Sequence, residues 1–123
     1  MMPIITPDWR APHNVAAGTT TKLVPEGALP TELQYLKQVH GARVVPIADV
    51  RSARKPVEAD AVTGNQPGDH CAVRTADCLP ILFCARDGSE IAAAHGGWRG
   101  VVAGVIENTV AALDTPPADL LVW

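Results

Sequence analysis

Apolar and polar positions in the second half of the chain fall into successive patterns. CAVRTA (71–76) alternates as a half-buried strand does, ILFCA (81–85) is a continuous apolar run of buried-strand length, and EIAAA (90–94) reads as a returning strand. Asp87 and Gly88 between them tolerate the positive φ of a tight turn, so 78–95 is expected to form one hairpin. From Trp98 to Leu113, residues Val101, Val102, Val105, Ile106, Val110 and Leu113 recur at helical spacing, and DTPP stops the helix. Gly100 and Gly104 lie one turn apart on it and are expected to let it pack closely on a sheet, since each otherwise costs about 1 kcal/mol relative to alanine. DLLVW (119–123) starts a further strand.

The first half is less periodic. Pro3, Pro7, Pro12, Pro25 and Pro30 restrict residues 1–31 to extended or looped backbone, with one strand available in NVAAGTTTKLV. LQYLKQ (33–38) leads, as helix or extended chain, into VHGARVVPI, where Val44, Val45 and Ile47 favour a strand. Residues 51–69 are polar and punctuated by Pro56, Gly64, Pro67 and Gly68, which makes them a connection with a short extended core at ADAVT. The pattern predicts a mixed α/β protein, with mixed β-sheets flanked by helices.

With 123 residues, one core is expected, burying about two thirds of the unfolded surface. An apolar share of 47% and a formal charge of −3 argue against disorder and against a nucleic-acid binder. No apolar run approaches the roughly 18 residues of a membrane span, so no membrane partner is expected. The odd cysteine count and the absence of a secretion signal at MMPIITPDWRAP predict a reduced, cytoplasmic setting, with thiols free for metal or catalysis.

The hairpin concentrates chemistry. A turn near Asp87 gives cross-strand partners whose numbers sum to about 173 to 175, which sets Cys78 and His95 nearly opposite each other at the open end. His40, beside Gly41 at a strand start, is the natural third member. One thiolate and two imidazoles suit zinc, or alternatively copper, and three protein ligands leave a fourth position for water or substrate, as in catalytic zinc sites where water becomes a nucleophile near neutral pH. Gly96 and Gly97 turn the strand into the helix, and its first turn favours anions such as phosphate. Arg99 is placed to contact phosphate, and Trp98 to offer a flat face to a base. Asp77 is either an acid–base group or a turn cap. Taken singly, each residue has a plainer role: Trp98 as core, Arg99 as a solvated helix residue, His40 as a turn residue, Cys78 as filler. Cys71 and Cys84 read as core, and His13 and His70 as loop residues. A fourth ligand from Cys84 or His70 would instead make the site structural. A metal-free reading, with Cys78 as a nucleophile activated by His95, remains open.

QVHGARVV, EADAVT, TADCLPILF and AAAHGGWRGVVAGVIENTV, with WRAPHNVAAGTTTK before them, resemble the successive motifs of the bacterial laccase-domain family, also called polyphenol oxidase or peptidoglycan-editing-factor proteins, which includes purine nucleoside enzymes. The resemblance implies that His40, Cys78 and His95 bind one zinc, or copper. It implies phosphorolysis of adenosine and inosine with phosphate as co-substrate, and deamination of adenosine. Alternatives implied by the same family are copper-dependent phenol oxidation and hydrolytic editing of cell-wall precursors. The family continues after its TTTK-like stretch through a glycine-rich segment and an Asn-containing motif, whereas LVPEGALP follows Lys22 here, and it has a second half beyond the position of Trp123. A single laccase-like domain over 1–123, incomplete relative to the family, is therefore expected, with an exposed sheet edge that another chain could cover. An inactive metal-binding remnant is the non-enzymatic alternative.

Overall fold

A computed structural model describes residues 4–25 and 27–123; the expectation for Pro3 lies outside them. The architecture is the expected mixed α/β one. Ile4–Ile5 (β1) and Thr19–Thr20 (β2) form a small antiparallel ladder, and the other described residues of the proline-punctuated stretch up to 31 are loop. The main sheet contains Val44–Pro46 (β3), Ala61–Gly64 (β4), Leu79–Ala85 (β5), Ile91–Gly96 (β6) and Leu120–Val122 (β7), in the order β3-β4-β6-β5-β7. β3 and β4 are parallel and the remaining pairs antiparallel. The edges are the three-residue strands β3 and β7.

The β5–β6 hairpin has the predicted register. Leu79 pairs with Gly96 and Pro80 with His95, a constant sum of 175, so Cys78 enters the sheet beside Gly97. Gly88 supplies the positive φ of the turn, at 76°. Ala92, Ala93 and Ala94 on the central strand are buried, and alternate positions face two cores. One core joins Val62 and Ala93 to Val45, Ile47, Val50 and Leu36; the other joins Phe83, Ala92 and Ala94 to Val105 and Leu113. The small alanine side chains let covering layers approach both faces of β6.

Five local expectations are corrected. Residues 71–76 form no strand: the side-chain amide of Gln38, rather than a neighbouring strand, engages the backbone of Arg74. Ile47–Ser52 forms a helix (α1), which buries Ile47 and Val50 against the sheet, where strand and connecting loop were expected. The long helix is two helices, Trp98–Ala103 (α2) and Val105–Ala112 (α3), because Gly104 adopts φ 100° and caps the first. Of these two glycines Gly100 alone packs closely, since a Cβ there would meet the Gly41 carbonyl oxygen at 2.8 Å; a Cβ on Gly104 would meet nothing nearer than Glu107 Oε2 at 3.6 Å. Trp98 is not core but 73% exposed.

Asp69 ties the β4 connection to α1. Its carboxylate accepts N–H bonds from Asn65 and Gln66 and pairs with Arg51 Nη1 at 2.8 Å, although its side chain is almost fully buried. Burial pushes the carboxyl pKa up, but the Arg51 hydrogen bond, the two backbone donors and the Arg51 charge outweigh it and hold the pKa below the usual range. A carboxyl with a depressed folded-state pKa contributes stability above its unfolded pKa of about 3.9 and loses that contribution as pH falls through the folded value. Urea unfolding of wild type and Asp69→Asn at pH 7 and pH 3 should therefore show the stability gap between them narrowing at the lower pH. A gap that is constant or widens on acidification would contradict this role.

Candidate metal centre

Three segments meet at the open end of the hairpin. His95, near the end of β6, is 3% exposed; Cys78, just before β5, is half-buried; His40, in the loop before β3, is exposed. One donor atom from each lies within 4.8 Å of the other two, and these are the members of the cluster among the described residues. The imidazoles meet edge-on, with centroids 4.9 Å apart and planes at 74°. The surroundings grade from buried at His95 to open at His40.

The donor set fits a single zinc or copper ion. Tetrahedral coordination with zinc–nitrogen and zinc–sulfur distances of roughly 2.0–2.3 Å spaces donors roughly 3.3–3.8 Å apart, which these side chains reach by closing about 1 Å. Gly97 makes room for them. A Cβ on it would lie 3.1 Å from His40 Cδ2, 3.2 Å from Cys78 Sγ and 3.8 Å from His95 Cε1. The bare Cα roofs the cluster where any side chain would crowd it.

The residue that orders this geometry is Asp60, completely buried at the start of β4. Its Oδ1 accepts N–H bonds from Val39 and Gly41 at 3.1 and 3.0 Å, and its Oδ2 accepts the His40 N–H at 2.9 Å. Oδ2 also lies 2.8 Å from His95 Nδ1. Desolvation raises the Asp60 pKa, but the bonds from His95, Gly41, Val39 and His40 together lower it, so the carboxylate is ionised. An ionised carboxylate needs a proton on Nδ1, which leaves the Nε2 lone pair of His95 free for a metal. The same anion gathers three successive backbone donors and holds His40 at φ 60°, a left-handed conformation that costs a non-glycine residue roughly 1–2 kcal/mol. The positive φ falls on His40 itself and not on Gly41 beside it. The role of Gly41 is close approach: its carbonyl lies under Gly100 of α2.

The other predicted residues are distributed around this centre. Gly96 and Gly97 are buried at the strand-to-helix turn, and a Cβ on Gly96 would meet Ile81 Cδ1 at 2.8 Å. Trp98 and Arg99 are exposed on α2, with the guanidinium carbon 5.3 Å from the Trp98 ring centroid. Asp77 is exposed beside Cys78 and is not in the donor cluster. Neither Cys84 nor His70 joins the donor group; Cys84 is fully buried at the far end of the hairpin, opposite Ile91. Cys71 is a core thiol, its pKa pushed by burial up to about 12. The sequence assigns Asp60 no role of its own, since ADAVT reads as a short extended core and EADAVT as one motif of the resemblance. The available signal for Asp60 was a lone carboxylate inside an alanine and valine run, a position that burial forbids unless the charge is partnered.

Residues 11–123 match the model of a family described as multi-copper polyphenol oxidoreductase laccase. The chain is 38% identical to a purine nucleoside phosphorylase of Escherichia coli, YfiH, over 100% of this chain and 63% of that protein. It is 35% identical to a purine nucleoside phosphorylase of Haemophilus influenzae, over 99% of this chain and 62% of that one. A crystal structure of a Neisseria meningitidis protein, described by the family designation DUF152, superposes with a TM-score of 0.84 at 35% identity, covering 98% of this chain and 61% of that one. The chain thus spans about three fifths of the length of these relatives.

Asp60→Asn keeps the shape of the side chain and removes its charge, which leaves His95 without a defined tautomer. Zinc affinity measured against a competing chelator should fall about 10- to 100-fold. An Asp60→Asn protein that folds and binds zinc as tightly as wild type would contradict the role of the carboxylate.

Proposed function

Starting from a chain that belongs to the multi-copper polyphenol oxidoreductase laccase family, we propose that it processes purine nucleosides at a mononuclear metal centre held by His40, Cys78 and His95. The observation that carries this reading is the convergence of two imidazoles and one thiol on one another, with one imidazole bonded to a buried carboxylate, in a chain whose longer relatives include proteins named purine nucleoside phosphorylase. Bound there, zinc would supply Lewis acidity and lower the pKa of coordinated water.

The remaining steps belong to the protein. In phosphorolysis, a phosphate oxygen attacks the anomeric carbon of the ribose, the bond to the purine nitrogen breaks, and the base leaves with a proton, giving free base and ribose 1-phosphate. The exposed Trp98 ring offers a stacking face for the base, and Arg99 offers a charged fork for phosphate, beside the Gly96–Gly97 turn. Asp77, next to Cys78 and solvent-accessible, is the nearby candidate for proton transfer. Deamination of adenosine to inosine requires water to add at the ring carbon bearing the amine and ammonia to leave, and the same face would orient the ring.

The family description also supports a copper oxidase reading. The chemistry of the donors favours the first: the sequence has four histidines, of which two are in the cluster, whereas multicopper reduction of oxygen needs many more.

Metal-loaded protein incubated with adenosine should release adenine only when phosphate is present and should stop on chelation; Cys78→Ala should abolish the release. Purine turnover that survives both metal removal and Cys78→Ala would overturn the proposal. Phenol oxidation without purine turnover would favour the copper reading.

A further inference from the structure

We propose that Gln38 is a positioning residue for the metal centre, a two-point clasp that sets the distance between the loop carrying His40 and the segment carrying Cys78. The inference rests on the reading of His40, Cys78 and His95 as a metal site.

The three donors are anchored unequally. His95 lies within a strand paired on both sides and bonds to Asp60. The backbone around His40 is gathered by the same carboxylate. Cys78 is held from its C-terminal side, where Leu79 pairs with Gly96, but the residues that lead to it from 71 to 76 belong to no strand. There Gln38 takes the place of a strand neighbour. Its Oε1 accepts the Arg74 N–H at 2.8 Å, and its Nε2 donates to the Arg74 carbonyl at 2.7 Å.

A second contact joins the same two segments. The guanidinium carbon of Arg74 lies 3.8 Å from the centroid of the Tyr35 ring, a stacked cation–π geometry. Gln38 is two residues from His40, and Arg74 four from Cys78. The clasp therefore acts on the separation of these two donors and leaves the His95–Asp60 pair untouched. Its chemistry selects an amide, because one side chain must both accept from an N–H and donate to a carbonyl. Glutamate offers acceptors only and would set its charge against the Arg74 carbonyl.

The test is cobalt binding to the full chain, followed by the thiolate-to-cobalt charge-transfer band and by the ligand-field bands, with melting temperature recorded in parallel. Wild type is expected to bind one Co²⁺ with a thiolate band. Gln38→Ala should bind about tenfold more weakly, in line with the loss of groups that orient metal ligands, and should show a diminished thiolate band relative to the ligand-field bands. Gln38→Glu should show the same direction of change, and serves if the alanine variant fails to fold. Arg51→Ala breaks the pair that ties α1 to Asp69, neither of which supplies a donor, and should leave affinity and spectrum unchanged.

A folded Gln38 variant with wild-type affinity and spectrum overturns the proposal. So does a loss of binding that tracks only loss of fold in both variants. Wild-type protein that binds no cobalt through a thiolate overturns the metal reading itself, a result distinct from either.

Discussion

A single buried negative charge organises this molecule. Asp60 sits where β4 begins, with no exposure, and an isolated carboxylate in such a place would be strongly unfavourable. The fold compensates with four donors to its two oxygens: three consecutive backbone N–H groups of the His40 loop and the Nδ1–H of His95. Its main chain joins the same elements, since the His95 N–H bonds to the Asp60 carbonyl at 2.7 Å and the Asp60 N–H to Arg43 at 3.1 Å. Stability of the sheet end and geometry of the site are thus one interaction network. Among the described residues, no buried side-chain nitrogen or oxygen is left without a partner.

Around that charge the sheet acts as a ruler. The hairpin register fixes Cys78 opposite Gly97, and the paired position of His95 follows two residues earlier. Glycine at 97 leaves the volume in which the three donors meet, while Gly100 lets α2 close onto the Gly41 carbonyl. α3 then fastens the outer side of the loop, with Asn108 Nδ2 donating to the Ala42 carbonyl at 2.8 Å. Each contact shortens the freedom of the His40 loop, the element that irregular backbone leaves most adjustable. No helix among the described residues is long and apolar enough to cross a membrane.

The parts of this arrangement that were legible in the sequence are those governed by short-range rules. Asp87–Gly88 and the apolar runs on either side specify the hairpin and its register, and the register alone brings Cys78 to His95. The helical spacing after Trp98 was also readable, but not its interruption: Gly104 can pack or can turn, and only its φ of 100° decides. CAVRTA has the alternation of a strand without a strand to pair with, because Gln38, far away in sequence, occupies its backbone. Trp98 has a core residue's composition and an exposed position, since α2 presents its other face to the sheet and the Gly41 loop. Asp60 escaped because its partners are four groups distant in the chain, and the apolar run around it marks a buried charge without naming those partners.

The central claim is that His40, Cys78 and His95 share one ion oriented through Asp60. X-ray absorption at the zinc edge of the metal-loaded chain measures this directly. The account predicts one sulfur neighbour at about 2.3 Å and two imidazole nitrogens at about 2.0–2.1 Å, with the sulfur shell lost in Cys78→Ala. A spectrum without a sulfur shell, or one unchanged when Cys78 is replaced, would contradict it.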